Sequence, residues 1–437
     1  MPVVPEGVFA RGHLGELTQV VPFEMVDAAV GSARAVQSRV RELPSRVVVY
    51  LLLAAGLFAE VGYRQVWARM VAGLPDAGTS PSSSALAQAR RRVGIAPLRE
   101  LFGLLAGPAA GAARWRGLSV CAIDGTSLFV PDSAANRAAY GLHSGGAHAV
   151  AGYPMLRLVA VVACGTRTVI DVVFGSMAAS EITYAPALSR CLRTGTLLLA
   201  DRGFDANTLI ERFAATGADL LFRCRNNRGF PPIERFPDGS WLTRIGGTVV
   251  RIIAADIVVT CHGGPRRVQR YRLITTLTDQ KRYPAQELVA LYHSRWEIET
   301  AYLELKSTIL GGRVLRARTP AGVTQEVYAL LVTYQALRIA IADAVLTAPD
   351  ARPDRAGFTI ALHTARDQVI RAAGILAATT IDLVGAIGRA VLAHPLPARR
   401  DRTSPRIVKR AISKHRAKGD IDRNSYKTQI SIHILPG

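Results

Sequence analysis

Leu197-Leu198-Leu199-Ala200-Asp201-Arg202-Gly203-Phe204-Asp205 is the stretch that decides how this 437-residue chain folds. Its first four residues are apolar without alternation, which reads as a short strand covered on both faces, the habit of a parallel sheet between helices. The run stops at Asp201, and open α/β sheets gather their ligands at the carboxyl ends of such strands. Asp205 reads as the cap of a helix ending at Gly217, which leaves Asp201 without a structural role. Upstream, residues 118–130 form a second apolar, β-branched run in which Val120-Cys121-Ala122-Ile123 leads to Asp124, with Asp124-Gly125-Thr126 reading as a turn. Residues 155–164, 168–174 and 219–224 read as further strands, with a helical stretch over 184–193, so the expected core is a mixed α/β sheet.

Working outward, residues 229–284 are broken by Pro and Gly and carry alternating runs at 248–253, 257–261 and 271–277, which reads as an all-β insertion. The chain before the sheet reads as helical, at 20–35, 46–59 and 63–72, followed by a helix over 84–94 that carries Arg90, Arg91 and Arg92. Those arginines fit either a DNA-contacting helix pair or the solvated face of a packing helix. After the insertion, helices are expected over 284–310 and 323–346, a linker at 346–358, and more helix over 359–394. The expected organisation is a helical segment, residues 1–116; an α/β segment, 117–345, with its β-rich insertion at about 225–284; and a helical region, 346–437, ending in a basic tail, 395–437.

Composition narrows the function. Lys and Arg total 54 against 33 Asp and Glu, a net charge of +21, divided as +5 up to Arg116, +8 from Gly117 to His394 and +8 over the last 43 residues. A tail that interleaves Arg406, Lys409 and Arg410 with eight more cations is a polyanion-binding pattern, and nucleic acid is its expected partner. The longest uncharged apolar run, 47–59, has 13 residues where a bilayer span takes about 20, so no membrane role is expected. The beginning of the chain lacks the basic and apolar regions of a secretory signal, so export is not expected and the cytoplasm is the default location. Five cysteines lie 27 to 43 residues apart without a C-x-x-C pair, which supports neither a zinc site nor a disulfide framework. No G-x-x-x-x-G-K-[ST], H-E-x-x-H or G-x-S-x-G motif occurs, so ATPase, zincin and serine hydrolase chemistry lose their usual support.

The helix expected over 284–310 carries the sharpest signal. At about 100° per residue Tyr292, Arg295, Glu299 and Lys306 fall at about 0°, 300°, 340° and 320°, on one face. Leu291, Ile298, Ala301 and Leu305 form a core stripe, and His293, Glu297 and Glu304 fall on a side expected to face solvent. Arg295 and Glu299 could be a plain surface pair, but Tyr292 and Lys306 do not fit that account. Three carboxylates converging from two strand ends and a helix can hold two divalent ions about 3.5–4 Å apart for phosphoryl transfer, with Tyr, Arg and Lys beside them to bind the polyanion.

These residues resemble a known signature. Tyr292-x2-Arg295-x3-Glu299-x6-Lys306 is similar to the Y-R-E-K motif of DDE transposases in the family named after insertion sequence four. Asp124-Gly125-Thr126 resembles that family's first Asp, Asp201-Arg202-Gly203-Phe204 its second, and Glu299 matches the Glu, with separations of 77 and 98 positions. Leu14-Gly15 with Arg41-Glu42-Leu43-Pro44 resembles its N-terminal domain, and Pro405 to Arg410 its basic tail. The resemblance implies an RNase H-like core, catalysis and metal binding by Asp124, Asp201 and Glu299, two Mg²⁺ ions with Mn²⁺ as a substitute, and cut-and-paste movement at terminal inverted repeats into target DNA, by at least a dimer on the DNA. It further implies phosphate contacts from Tyr292, Arg295 and Lys306, and a hairpin intermediate whose flipped base stacks on an aromatic of the insertion, for which Tyr271 is the candidate. The alternatives are a nuclease of the same fold without strand transfer and a DNA-binding regulator with a silent site.

Overall fold

The computed structural model describes residues 10–37, 39, 41–76, 78, 80–144, 150–261, 266–376, 384–397 and 428–436. Helices α1 (Phe23–Ser32), α2 (Ser45–Leu57), α3 (Tyr63–Val71), α4 (Ser83–Val93) and α5 (Ala96–Leu105) precede the first strands. Then come β1 (Arg114–Trp115), β2 (Leu118–Phe129), α6 (Ala134–Tyr140), β3 (Leu142–Ser144), β4 (Val150–Ala163), β5 (Val169–Ser176), α7 (Glu181–Tyr184), β6 (Thr196–Ala200), α8 (Asn207–Ala214) and β7 (Asp219–Arg223). The insertion supplies β8 (Glu234–Arg235), β9 (Trp241–Ile245), β10 (Thr248–Cys261) and β11 (Arg266–Thr275), and the chain ends through α9 (Ala285–Tyr292), α10 (Trp296–Leu303), α11 (Pro320–Leu346), α12 (Phe358–Ile370), α13 (Gly385–Ala393) and β12 (Thr428–Leu435).

These elements form two compact units that interleave along the chain. The first comprises Met1–Ala113, Gly125–Ala179 and Glu297–Pro397; the second comprises Arg114–Asp124, Ser180–Trp296 and Ala398–Gly437. In the first unit α11 packs against α2, α5, α12 and α13, and almost every residue of α2 is buried. Among the described residues α11 alone is long and apolar enough to cross a bilayer, but 78% of its apolar window is buried, which makes it a core helix. The strands of this unit run β3-β4-β2, with β5 pairing the long β4 antiparallel.

The second unit holds the parallel centre of the sheet. β6 pairs in parallel with the first half of β2 on one side and with β7 on the other, and Thr196 to Ala200 are buried throughout, as an unbroken apolar strand requires. From β7 the order continues antiparallel through β11, β10, β9 and β8, the expected β insertion. Residues 248–253 and 257–261, read as separate strands, are one strand, β10.

Four expectations about local structure change. β2 runs straight through Asp124-Gly125-Thr126, so no turn forms there, and Asp124 lies inside the strand at the end of its parallel pairing. Asp205 does not cap α8: its carboxylate accepts from Arg225 N at 3.1 Å and pairs with Arg228, and the cap position, Ala206, has no side-chain bond. The helix expected over 284–310 is α9, a 3₁₀ turn His293–Arg295, α10, and a π-helical segment Glu304–Ile309. The C-terminal region is not helical to its end, because β12 pairs antiparallel with β10 from Cys261↔Thr428 to Ala254↔Leu435.

Candidate active site

Three side chains share one register at the end of the parallel sheet. Ile123 pairs with Ala200 and Ala200 with Phe222, so the next residues, Asp124, Asp201 and Arg223, stand on adjacent strands about 4.8 Å apart. Leu197 to Ala200 are fully buried, and the two aspartates are half-buried, so the carboxylates emerge where the apolar interior ends. Asp201 does have a structural role, because Oδ1 accepts from Gly203 N at 2.7 Å and caps a 3₁₀ turn over Arg202–Phe204. Phe204 anchors that turn in the core, and a Cβ at position 203 would lie only 2.8 Å from Asp201 Oδ1, so a side chain there would displace that carboxylate.

The residues of the α9–α10 stretch divide as follows. Arg295 Nη1 lies 3.5 Å from Asp124 Oδ2, a pair with side-chain exposures of 11% and 18%. Tyr292 is 4% exposed and donates its hydroxyl proton to Ala200 O at 3.1 Å, directly before Asp201. Burial is the main cause of a raised Tyr292 pKa. In this structure the Tyr292 hydroxyl proton is directed to the strand end. Tyr292 also meets Tyr271 edge to face, with ring centroids 5.9 Å apart.

Tyr271, the candidate for a stacked base, has the Arg223 guanidinium 4.0 Å over its ring, so that face is already covered. Trp241 is buried and donates to Phe230 O at 3.0 Å. Arg223 was not a sequence candidate; the signal that could have found it is its place as the last residue of β7, directly after the buried Leu220–Phe222, in a strand parallel to β6.

Glu299 and Lys306 belong to the first unit, where Glu299 is half-buried on α10. Lys306, in the π segment, donates to Thr126 Oγ1 at 3.2 Å, and burial lowers its pKa. Thr126 follows Asp124 by two positions on β2, on the same side of the strand. Glu297 and Glu304 do not face solvent: both carboxylates bind Arg167 on the β4–β5 turn. Their buried partner lies 130 and 137 residues away and leaves no trace in helical periodicity.

In the N-terminal helices Arg91 and Arg92 are exposed, whereas Arg90 stacks 3.7 Å over the ring of Tyr63 and is partly withdrawn from solvent. Arg406, Lys409 and Arg410 lie outside the described residues. Asp124 and Asp201 supply hard carboxylate oxygens, the donors that Mg²⁺ and Mn²⁺ take. Among the described residues no three His, Cys, Asp or Glu side chains come together as a metal cluster.

An acidic pair in common register where two adjacent strands end their parallel pairing, with arginines next in register and beside it, has the residue types that phosphoryl transfer on a polyanion uses. Residues 115–335 match the family model of the transposase DDE domain, and residues 11–103 that of the insertion element 4 transposase N-terminal region. The chain belongs to the DDE transposases of the insertion-sequence-four family, DNA-cleaving and strand-transferring enzymes of transposition with an RNase H-like fold and a divalent metal requirement. It is 26% identical over 417 residues to the transposase InsG of insertion sequence element IS4 from Escherichia coli strain K12, covering 91% of this chain and 92% of the relative. It is 28% identical over 196 residues to the putative transposase InsZ of the same strain, covering 44% of this chain and 64% of that one. The piggyBac transposase synaptic complex with hairpin DNA aligns at a TM-score of 0.43 and 10% identity over 91% of this chain and 86% of that one, below the level that fixes a shared fold.

Proposed function

We propose that Asp124, Asp201 and Glu299 are the catalytic and metal-binding residues of a cut-and-paste transposase that cleaves DNA at terminal inverted repeats and joins the freed ends to target DNA. The observation that carries the reading is the common register of Asp124 and Asp201 on adjacent parallel strands, with Arg295 beside Asp124. Two Mg²⁺ ions, with Mn²⁺ as a substitute, would be held by the carboxylates, where they activate the attacking oxygen and neutralise the leaving one. Arg295 and Arg223 offer planar guanidinium forks to phosphate oxygens, and Lys306 a point charge. Tyr292 fixes the backbone of Ala200, and so the root of Asp201.

The functional division follows segments 1–116, 117–345 and 346–437, with Arg91, Arg92 and the tail residues Arg406, Lys409 and Arg410 binding DNA outside the site. Two ends must be brought together, which calls for a dimer on DNA, and the workplace is the cytoplasmic nucleoid. Purified protein, Mg²⁺ and a labelled inverted-repeat end on supercoiled plasmid test the assignment. Asp124→Asn, Asp201→Asn and Glu299→Gln should each lower cleavage by about a thousandfold or more while end binding stays within about twofold. Wild-type cutting by any one of them removes that residue from the site, and nicking by the wild type without joined product favours a nuclease.

A further inference from the structure

We propose that Arg167 is a positioning residue that sets the rotation of the helix carrying Glu299 and Lys306. The proposal rests on the reading of those two residues as part of the active site. Arg167 sits in the β4–β5 turn at φ +60°, a left-handed conformation that non-glycine residues seldom adopt, and its N–H donates to Ala163 O at 2.9 Å. A turn alone would be served better by glycine, so the side chain is the reason for arginine there.

The guanidinium is buried, 6% exposed, and binds two carboxylates of one helical stretch: Nε donates to Glu297 and Nη1 to Glu304 at 2.9 Å. Burial opposes its charge, but Glu304 and Glu297 outweigh that effect and its pKa is raised. Glu304 also lies 3.1 Å from the Tyr334 hydroxyl and 3.7 Å from Arg338, whose Nε donates to Thr166 O at 2.7 Å on the same turn. Two arginines thus balance two glutamates inside the first unit, the condition under which buried charges persist.

Spacing turns this cluster into a rotational clamp. Glu297 and Glu304 are seven residues apart, so on an α-helix they lie within about 20° of one another, while Glu299 lies about 200° around from Glu297. Anchoring one face therefore aims the other. The π segment begins at the anchored Glu304 and delivers Lys306, two residues on, to Thr126. With side-chain tips about 5–6 Å from the axis, a 20° rotation moves a carboxylate by about 2 Å. A displacement of even 1 Å at a catalytic group can slow a reaction by about a hundredfold.

Arg167→Gln alone would strand two buried carboxylates, so the main variant is Arg167→Gln with Glu297→Gln and Glu304→Gln, which keeps shape and removes the charges together. Its far-ultraviolet spectrum and its affinity for an inverted-repeat end should match the wild type within about twofold, while single-turnover nicking falls about a hundredfold. In the metal-free protein, acetic anhydride labelling of Lys306 should rise several-fold relative to the other five lysines. Arg167→Lys, which keeps the charge but reaches one carboxylate, should lie between, about tenfold down in nicking at unchanged affinity. Wild-type nicking by the lysine variant, or a triple variant that nicks within about threefold of wild type with unchanged Lys306 labelling, overturns the clamp. Glu299→Gln, assayed in parallel, separates the two failures: if it is inactive while the triple variant is not, only the clamp falls, and if it is active, the site reading falls first.

Discussion

Replacing Tyr292 with phenylalanine separates two roles that its place in the Y-R-E-K motif confounds. The hydroxyl of this 4%-exposed residue donates to Ala200 O at 3.1 Å, and the ring rests edge to face on Tyr271. Phe keeps the ring and the cavity, so the loss is one buried neutral hydrogen bond and part of the solvation of a carbonyl, about 1–2 kcal/mol. For a unit of roughly 150–250 residues each kcal/mol is about 2–4 °C in melting temperature, so a drop of about 3–6 °C is expected. Loosening Ala200 also loosens Asp201, so cleavage should slow by about tenfold. Affinity for the end should change by no more than about twofold. A hydroxyl bonded to phosphate, in contrast, would contribute about 1.5–3 kcal/mol of binding, about ten- to a hundredfold in Kd. Differential scanning fluorimetry, a filter-binding titration and a single-turnover nicking assay read all three quantities on one preparation. A Kd weakened tenfold or more with an unchanged melting temperature would refute the reasoning and return Tyr292 to the DNA.

Other outcomes follow from the same geometry. Gly203→Ala puts a Cβ 2.8 Å from Asp201 Oδ1, an atom that can swing away, so melting should hardly shift while nicking falls about ten- to a hundredfold; an unchanged rate shows that the Asp201 rotamer is immaterial. His13 is buried with its pKa lowered to about 4, so the unfolded chain takes up its proton near pH 6.5 and the folded chain does not, and stability falls with pH across that window. Between pH 7 and 4.5 the stability advantage of wild type over His13→Gln should shrink by about 2.5 kcal/mol in urea unfolding, and an equal pH response in both proteins rules it out. Replacing Arg406, Lys409 and Arg410 together with alanine should flatten the log-log salt dependence of DNA binding by up to about 2.7; an unaltered slope means the three touch no phosphate.

The parts of the candidate site that a local run encodes were legible in advance as strand ends. An apolar strand that ends abruptly on a carboxylate reports both its burial and its exit, and β6 occupies the stretch read for it with Asp201 next. Asp124 was legible for the same reason, although the turn read after it is strand. The helix face was less so. A fixed 100° step assumes one helix type, and the 3₁₀ turn at His293–Arg295 and the π segment at Glu304–Ile309 break the step on both sides of Glu299. The same wheel sent Glu297 and Glu304 to solvent because nothing local announces a buried arginine on a distant turn. Arg223 needed the parallel register, which is a property of three strands at once. The final strand was readable from the alternation of Ile430, Ile432 and Ile434, but it follows a run of cations that drew the reading toward a tail.

That last strand also sets a schedule. One edge of β10 is completed by residues 428–435, which leave the ribosome some 167 positions after Cys261. At about 5–20 residues per second the edge stands open for roughly 10–30 s of synthesis, long compared with the microseconds in which neighbouring hairpins close. An open, apolar strand edge is a template for pairing with other chains, so a polypeptide released before residue 428 has every acidic residue of the proposed site and a sheet prone to aggregate.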